Sequence, residues 1–371
     1  MEMMLRVVAA VAGAVIVQAV LRSAIRTVVV PRGEATQLTR WTYLLSRFLY
    51  DMLSKHRRTY EERERIFARY APTSLILLAV AWALGTLFGF ALLFWSTGEH
   101  DFPDSLNLSG SSITTLGFFP PKGRAEDFLA VAEGFIGLGL VALLISFLPT
   151  IYGIFSRREA AVLKLDVRAG SPPTALTMLS RFHRIGWLES IHEEWAGWED
   201  WFSELEESHT SHPALVFFRS QRPYSSWITA AGCVLDAAAI TVSSLDLQRQ
   251  PEASVTIRAG SMALRSICAF FNVPIDPDPE PNAPIAIHRQ EFDLLLNELA
   301  AQGLPIKADR DQCWRDFAGW RVNYDEPLLA LCALVEAPST PWSSDRLERF
   351  HRPTLAKRRW RVDPPTNSPS F

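Results

Sequence analysis

Three sets of residues have types and spacing that could support chemistry. Glu133 is the lone charged residue type in the apolar run from Phe128 to Ser156, which holds no other Asp, Glu, Lys or Arg. A carboxyl group in such a run faces a cavity or a partner. The alternative is that it snorkels to the outer interface. Glu204, Glu207, His209 and His212 fall in one short stretch. Imidazole and carboxylate suit a divalent ion or a proton sensor, with helix capping and packing as the alternative. The third set is the segment "SSITTLGFFPP", residues 111–121, whose Gly117, Pro120 and Pro121 prevent continuous helix or strand. No nucleophile–base constellation appears, and His192-Glu193 lacks the second histidine of a zinc-protease helix, so no enzyme and no cofactor are expected. The cysteines, Cys233, Cys268, Cys313 and Cys332, are far apart with no CxxC pair, as expected of reduced, buried thiols.

The elements that must position these residues begin with long apolar runs. No charge occurs between Arg69 and Glu99, and only Glu133 interrupts the run from Phe128 to Ser156. Both runs are long enough to span a bilayer, which needs about 20 residues at 1.5 Å rise each. Residues 7–21, between Arg6 and Arg22, form a shorter run, read as a retained span with a cleaved signal peptide as the rival. Net charge is −3, which points neither to nucleic acid nor to an acidic partner. Residues 22–69 carry eleven Lys and Arg, whereas the segment between the two long runs has only Lys122 and Arg124 against five acids. The positive-inside rule then puts 22–69 in the cytoplasm, the N-terminus and 99–127 outside, and residues beyond Arg157 inside. The expected location is a plasma (inner) membrane, crossed several times and in contact with lipid. The basic, amphipathic stretch 41–70 lies along the inner membrane surface or packs on the C-terminal half.

Within the outward segment, Pro103 and Asp104 suit the first turn of a helix running from about Pro103 to Thr114. A strip of irregular backbone, Thr115 to Phe119, follows. Such backbone at membrane depth is tolerated when it is buried in protein or lines a water-filled path. The plain alternative is an extracellular hairpin between two spans.

The order outer helix, short helix opened by Phe102-Pro103, "TTLGF", inner helix resembles the pore-loop potassium channels, whose filter reads T-V-G-Y-G. The resemblance covers roughly residues 73–156 and supplies one pore loop per chain, so it implies a homotetramer. It also implies that Thr114, Thr115, Leu116, Gly117, Phe118 and Phe119 form the ion-conduction filter. On this resemblance, carbonyl oxygens of Thr115 to Phe118 replace the water around a monovalent cation, potassium by analogy. Gly137 and Gly139 fall where the family often has a hinge. Two departures stand out: Phe119 replaces the second filter glycine, and Pro120 replaces the usual aspartate. A phenylalanine at φ > 0 is costly, so the outermost carbonyl ring is expected to be turned or absent, with weaker selectivity. Below the glycines, Pro149 is expected to kink the helix, and Ile151 and Phe155 to form an apolar constriction.

The expected fold is an all-α membrane protein with three transmembrane helices and a re-entrant pore loop, followed by an all-helical soluble domain. Its divisions are 1–22 (first span), 23–70 (basic linker), 71–156 (pore domain), 157–350 (cytoplasmic domain) and 351–371 (disordered tail). In the cytoplasmic half, helices are expected at 158–168, 173–184, 187–207, 224–246, 253–271, 288–302 and 308–336. The ligand or partner of that half is not legible. The functional expectation is a passive cation channel; its alternative is a non-conducting membrane-anchored sensor or scaffold.

Overall fold

The computed structural model describes residues 1–30, 36–55, 59–351 and 360–362. These are helical almost throughout, apart from one short antiparallel pairing of β1 (Phe350–His351) with β2 (Arg361–Val362). The chain divides into two compact units: residues 1–55 with 69–153, and 56–68 with 154–371.

The first unit is built on α1 (Glu2–Val28), α2 (Gln37–Ser54), α4 (Tyr70–Thr97), α5 (Phe102–Ile113) and the first part of α6 (Gly123–Ala169). α1 and α4 pack through small residues, which let two apolar helices approach closely. A Cβ on Gly13 would lie 2.5 Å from Gly89 O, while Val20 and Val17 fill the spaces over Gly85 and Gly89. Trp82 Nε1 donates to Ser23 Oγ at 3.0 Å, fixing the register of the pair. α4 ends at Gly98, where φ is 88° and the Arg6 guanidinium occupies the space a side chain would need. α2 turns a polar face to α4: the Ser46 and Ser74 hydroxyls are 2.8 Å apart and Tyr50 donates to Thr73 Oγ1 at 2.9 Å. Its other face leaves Trp41, Leu45, Phe48, Met52 and Leu53 exposed.

The second unit gathers α3 (Tyr60–Phe67), the end of α6, α7 (Ala175–Arg184), α8 (His192–Ser211), α9 (Trp227–Ser244), α10 (Pro251–Phe270), α11 (Arg289–Ala301), α12 (Arg310–Arg321) and α13 (Asp325–Val335). α9 is apolar on every side and accordingly buried, with α7, α10, α12 and α13 around it. Its one charge, Asp236, is met by the Arg321 guanidinium and by Tyr324 Oη at 3.0 Å; Arg321 Nε also donates to Asp325 Oδ1 at 2.8 Å. Burial opposes the charge on Arg321, but Asp236 and Asp325 outweigh it and raise its pKa. α3 is tied to the same unit by the Arg219–Glu64 ion pair and by Arg63 Nη2 to Glu336 Oε2 at 3.2 Å. The four cysteines are free and buried.

α1, α4, α6 and α9 are long and apolar enough to cross a membrane, a composition compatible with a membrane protein. Several expected boundaries move. The first helix extends beyond 7–21 at both ends, and stretch 41–70 holds most of α2, all of α3 and the first residue of α4. α6 runs through Pro149 without interruption and absorbs the separate helix expected at 158–168. Its last turns are held by Val162, Leu165 and Ala169 in the core of the second unit. The helix expected at 308–336 divides into α12 and α13 because Tyr324, at φ −129° and ψ −1°, leaves helical geometry as its hydroxyl joins Arg321 on Asp236. Within the segment 351–371, expected to be a disordered tail, Arg361–Val362 pairs with Phe350–His351 and Trp360 packs on the core. The rest of that tail, and residues 31–35 and 56–58 of the linker, lie outside the described residues.

Candidate functional site

α5 starts where its sequence provides a cap: Asp101 accepts the Asp104 amide at 2.9 Å and Pro103 occupies the first turn. It stops at Thr114, and the amides that follow turn back to satisfy its last carbonyls. Thr115 N donates to Ser112 O at 3.0 Å, Leu116 N to Ser111 O at 3.1 Å and Gly117 N to Ser111 O at 3.4 Å. This folding back requires positive φ at Thr115 (56°) and Gly117 (68°), separated by Leu116 at negative φ. Glycine takes that conformation freely, whereas a β-branched threonine takes it at a cost. Backbone that alternates in hand turns successive peptide groups toward one side. The amides of residues 114–117 are therefore used on α5. Among the described residues no hydrogen bond ends on the carbonyls of residues 114–118. All five of these residues are exposed, with Leu116 at 72 % and Phe118 at 63 %.

Phe119 closes the strip differently from its neighbours. Its φ is not positive, so the strain expected there does not arise. Its amide donates to Ser111 Oγ at 3.0 Å, and the same hydroxyl reaches its carbonyl at 3.5 Å. Its ring packs toward Phe90, Phe94 and Leu108 and lies 5.3 Å from the His100 ring. Phe119 is thus an anchor behind the strip, and the open carbonyls end at Phe118.

Beyond Phe119, a buried polar cluster fixes the start of α6. Glu126 accepts Thr97 Oγ1 at 2.8 Å and the Lys122 amide at 2.6 Å, and His100 Nε2 is 3.3 Å from its second oxygen.

α6 supports α5 along one face. A Cβ on Gly137 would lie 2.5 Å from Ile113 O, so this glycine marks a helix contact; Gly139 has open space around it. Glu133 is fully buried, its Oε1 2.5 Å from Ser109 Oγ, which is in turn 2.8 Å from Leu87 O on α4. Glu133 is thus held inside the unit and bonded to α5. Opposite this face, Phe128, Val131, Phe135, Leu138, Val141 and Ile145 are exposed at three- and four-residue spacing. Pro149 is exposed, Ile151 is fully buried, and the Phe155 ring rests on Phe218 with the Arg158 guanidinium over it.

The candidate metal ligands do not converge. His209 is buried against Trp227, its Nε2 3.0 Å from Arg158 Nη1 and its Nδ1 3.0 Å from Ser208 Oγ. An arginine can only donate, so Nε2 is the acceptor and Nδ1 carries the hydrogen. Burial, and then the Arg158 charge, hold the imidazole neutral well below its ordinary range. Glu204 and Glu207 are exposed on α8, and Glu207 accepts from Ser211. Among the described residues no group of three His, Cys, Asp or Glu side chains could hold a metal ion. Arg158 also donates to Leu215 O and Phe218 O, so this cluster fastens the end of α6 into the second unit.

Sequence reasoning missed Ser109, Ser111, His100 and Glu126. The available signals were the serine-rich "SGSSI" of α5 and the acid in the first turn of α6. Comparison with family models, curated proteins and solved structures finds no match to this chain.

Proposed function

We propose that this chain is one subunit of a homotetrameric pore-loop cation channel in a plasma membrane, with 99–127 facing outward and the second unit cytoplasmic. The observation that carries the reading is the strip 114–118: alternating backbone hand at Thr115 and Gly117, amides spent on α5, and carbonyls left open and exposed. Carbonyl rings are what a partly dehydrated monovalent cation requires, and one strip per chain needs further copies to complete a ring. Threonine at positive φ is a strained feature of the kind concentrated at functional sites. The carbonyl end of α5 adds partial negative charge where the strip begins.

The permeant ion is a monovalent cation, with potassium favoured and sodium discriminated against weakly. Phe119 turns its carbonyl to the Ser111 hydroxyl, so the run of open carbonyls stops at Phe118 and fewer rings are available for selection. The exposed apolar face of α6 is left for the pore axis and neighbouring subunits. Gating reaches the pore through α6, whose last turns belong to the second unit. The asymmetry of Lys and Arg in the connecting segments supports the sidedness.

A second reading, a non-conducting membrane-anchored sensor, is favoured by the position of Phe119 as an anchor and by the double proline that ends the strip. Chemical cross-linking of purified protein together with potassium flux into proteoliposomes separates the two. A tetramer with flux supports the channel, while a monomer or dimer without flux supports the sensor.

A further inference from the structure

Leu87 O, Ser109 Oγ and Glu133 Oε1 form a chain of oxygens with separations of 2.8 and 2.5 Å that joins α4, α5 and α6. Each separation is a hydrogen-bond distance and needs a proton between the two oxygens. A carbonyl brings none and a serine hydroxyl brings one, so the second proton can come only from the carboxyl group.

Two further observations point the same way. Glu133 Oε2 is buried with no hydrogen-bond partner, which an ionised carboxylate tolerates far less well than a neutral acid. The two elements joined to it by these bonds bring no cation: α4 and α5 contain no Lys or Arg, and their one charged residue, Asp104, is itself an acid.

We propose that Glu133 is a neutral carboxylic acid that donates to Ser109 while Ser109 donates to Leu87 O, a proton-dependent bolt behind the strip. Glu133 is then a positioning residue: it touches no ion, and it holds α5, which carries Ser111 and through it Leu116, Gly117 and Phe119. Removing the proton would leave Leu87 O and the Glu133 carboxylate competing for the one Ser109 hydrogen and would place an unpaired charge beside α5. The inference deepens the channel reading by naming the support of the strip, but it stands on bond counting and can be checked without any measurement of conduction.

The test is infrared spectroscopy of the full-length protein in lipid at neutral pH, comparing wild type with Glu133→Gln. The expected result is a protonated-carboxyl C=O stretch, distinct from the carboxylate bands, that is present in wild type and missing in the variant. Ser109→Ala should move that band to higher frequency, because the acid loses its acceptor. Thermal unfolding supplies a second readout. Glu133→Gln, whose amide can still donate to Ser109, should keep the wild-type midpoint, and Glu133→Ala should lower it. Should Glu133→Gln fail to fold, the wild-type band and its shift in Ser109→Ala decide the matter. A wild-type spectrum without a protonated-carboxyl band, or one that Glu133→Gln and Ser109→Ala leave unchanged, would overturn the proposal.

Discussion

The Ser111 hydroxyl accepts the Phe119 amide at 3.0 Å, while the Ser111 carbonyl accepts the amides of Leu116 and Gly117. One small buried residue on α5 therefore sets both ends of the open-carbonyl strip. Substituting Ser111 with Ala removes the anchor at Phe119 and keeps the backbone bonds. The expected cost is about 1 kcal/mol, borne locally. In channel recordings the variant should keep its current and lose discrimination between potassium and sodium, read as a shift in reversal potential.

Gly117→Ala tests the backbone itself. At φ 68° an alanine costs about 1–2 kcal/mol, although no atom lies close enough to clash with its Cβ. The helices do not depend on this residue, so the variant should assemble as wild type does and conduct poorly. Thermal unfolding beside flux separates the two effects.

The paired glycines of α6 make a steric prediction. Gly137→Ala puts a methyl group 2.5 Å from Ile113 O and should destabilise the first unit by about 1–3 kcal/mol, whereas Gly139→Ala meets nothing within 4 Å and should not. Unfolding midpoints in the same detergent check the contrast.

His209 makes the stability of the second unit depend on pH. The folded imidazole stays neutral, held down first by burial and then by Arg158, while the unfolded residue takes up a proton below about 6.5. The contribution is therefore complete above that value and is lost as pH falls through it, by up to about 1.4 kcal/mol per pH unit. His209→Gln keeps an acceptor for Arg158 and should flatten the slope. The quantity to compare is the difference in unfolding free energy between the two proteins from neutral to mildly acidic pH.

Arg321 is the buried cation of the second unit. Arg321→Met leaves Asp236 and Asp325 without their cation and should cost about 3–5 kcal/mol, whereas converting Asp236 and Asp325 to Asn together with Arg321→Met should recover much of it. Chemical denaturation of the three proteins gives the comparison.

The long apolar helices and the helix before the strip were legible because each is a local property: charge-free runs, a capping aspartate and a proline in the first turn. The positive φ at Gly117 was legible from its type, whereas the same conformation at Thr115, a β-branched residue, was not. Ser109 and Ser111 were not, because their roles depend on partners eight to twenty-four residues away, and a serine in a helix carries no sign of where its hydroxyl goes. The histidine–glutamate stretch misled for a related reason. Proximity in sequence says nothing about face, and α8 buries His209 while leaving Glu204 and Glu207 exposed. The merger of the last apolar run with the helix expected at 158–168 was hidden as well: Arg157 and Arg158 mark the end of the apolar run, but Val162 and Leu165 beyond them hold the helix onward in a different unit.

The central claim is that the open carbonyls of Thr115 to Phe118 conduct cations. It is tested most directly by recording current from the purified full-length protein in a planar bilayer under a potassium gradient, beside Gly117→Ala. The account predicts a wild-type current that reverses on the potassium side of zero and falls sharply in the variant. A folded, tetrameric protein that passes no cation current, or a current that Gly117→Ala leaves unchanged, would contradict it.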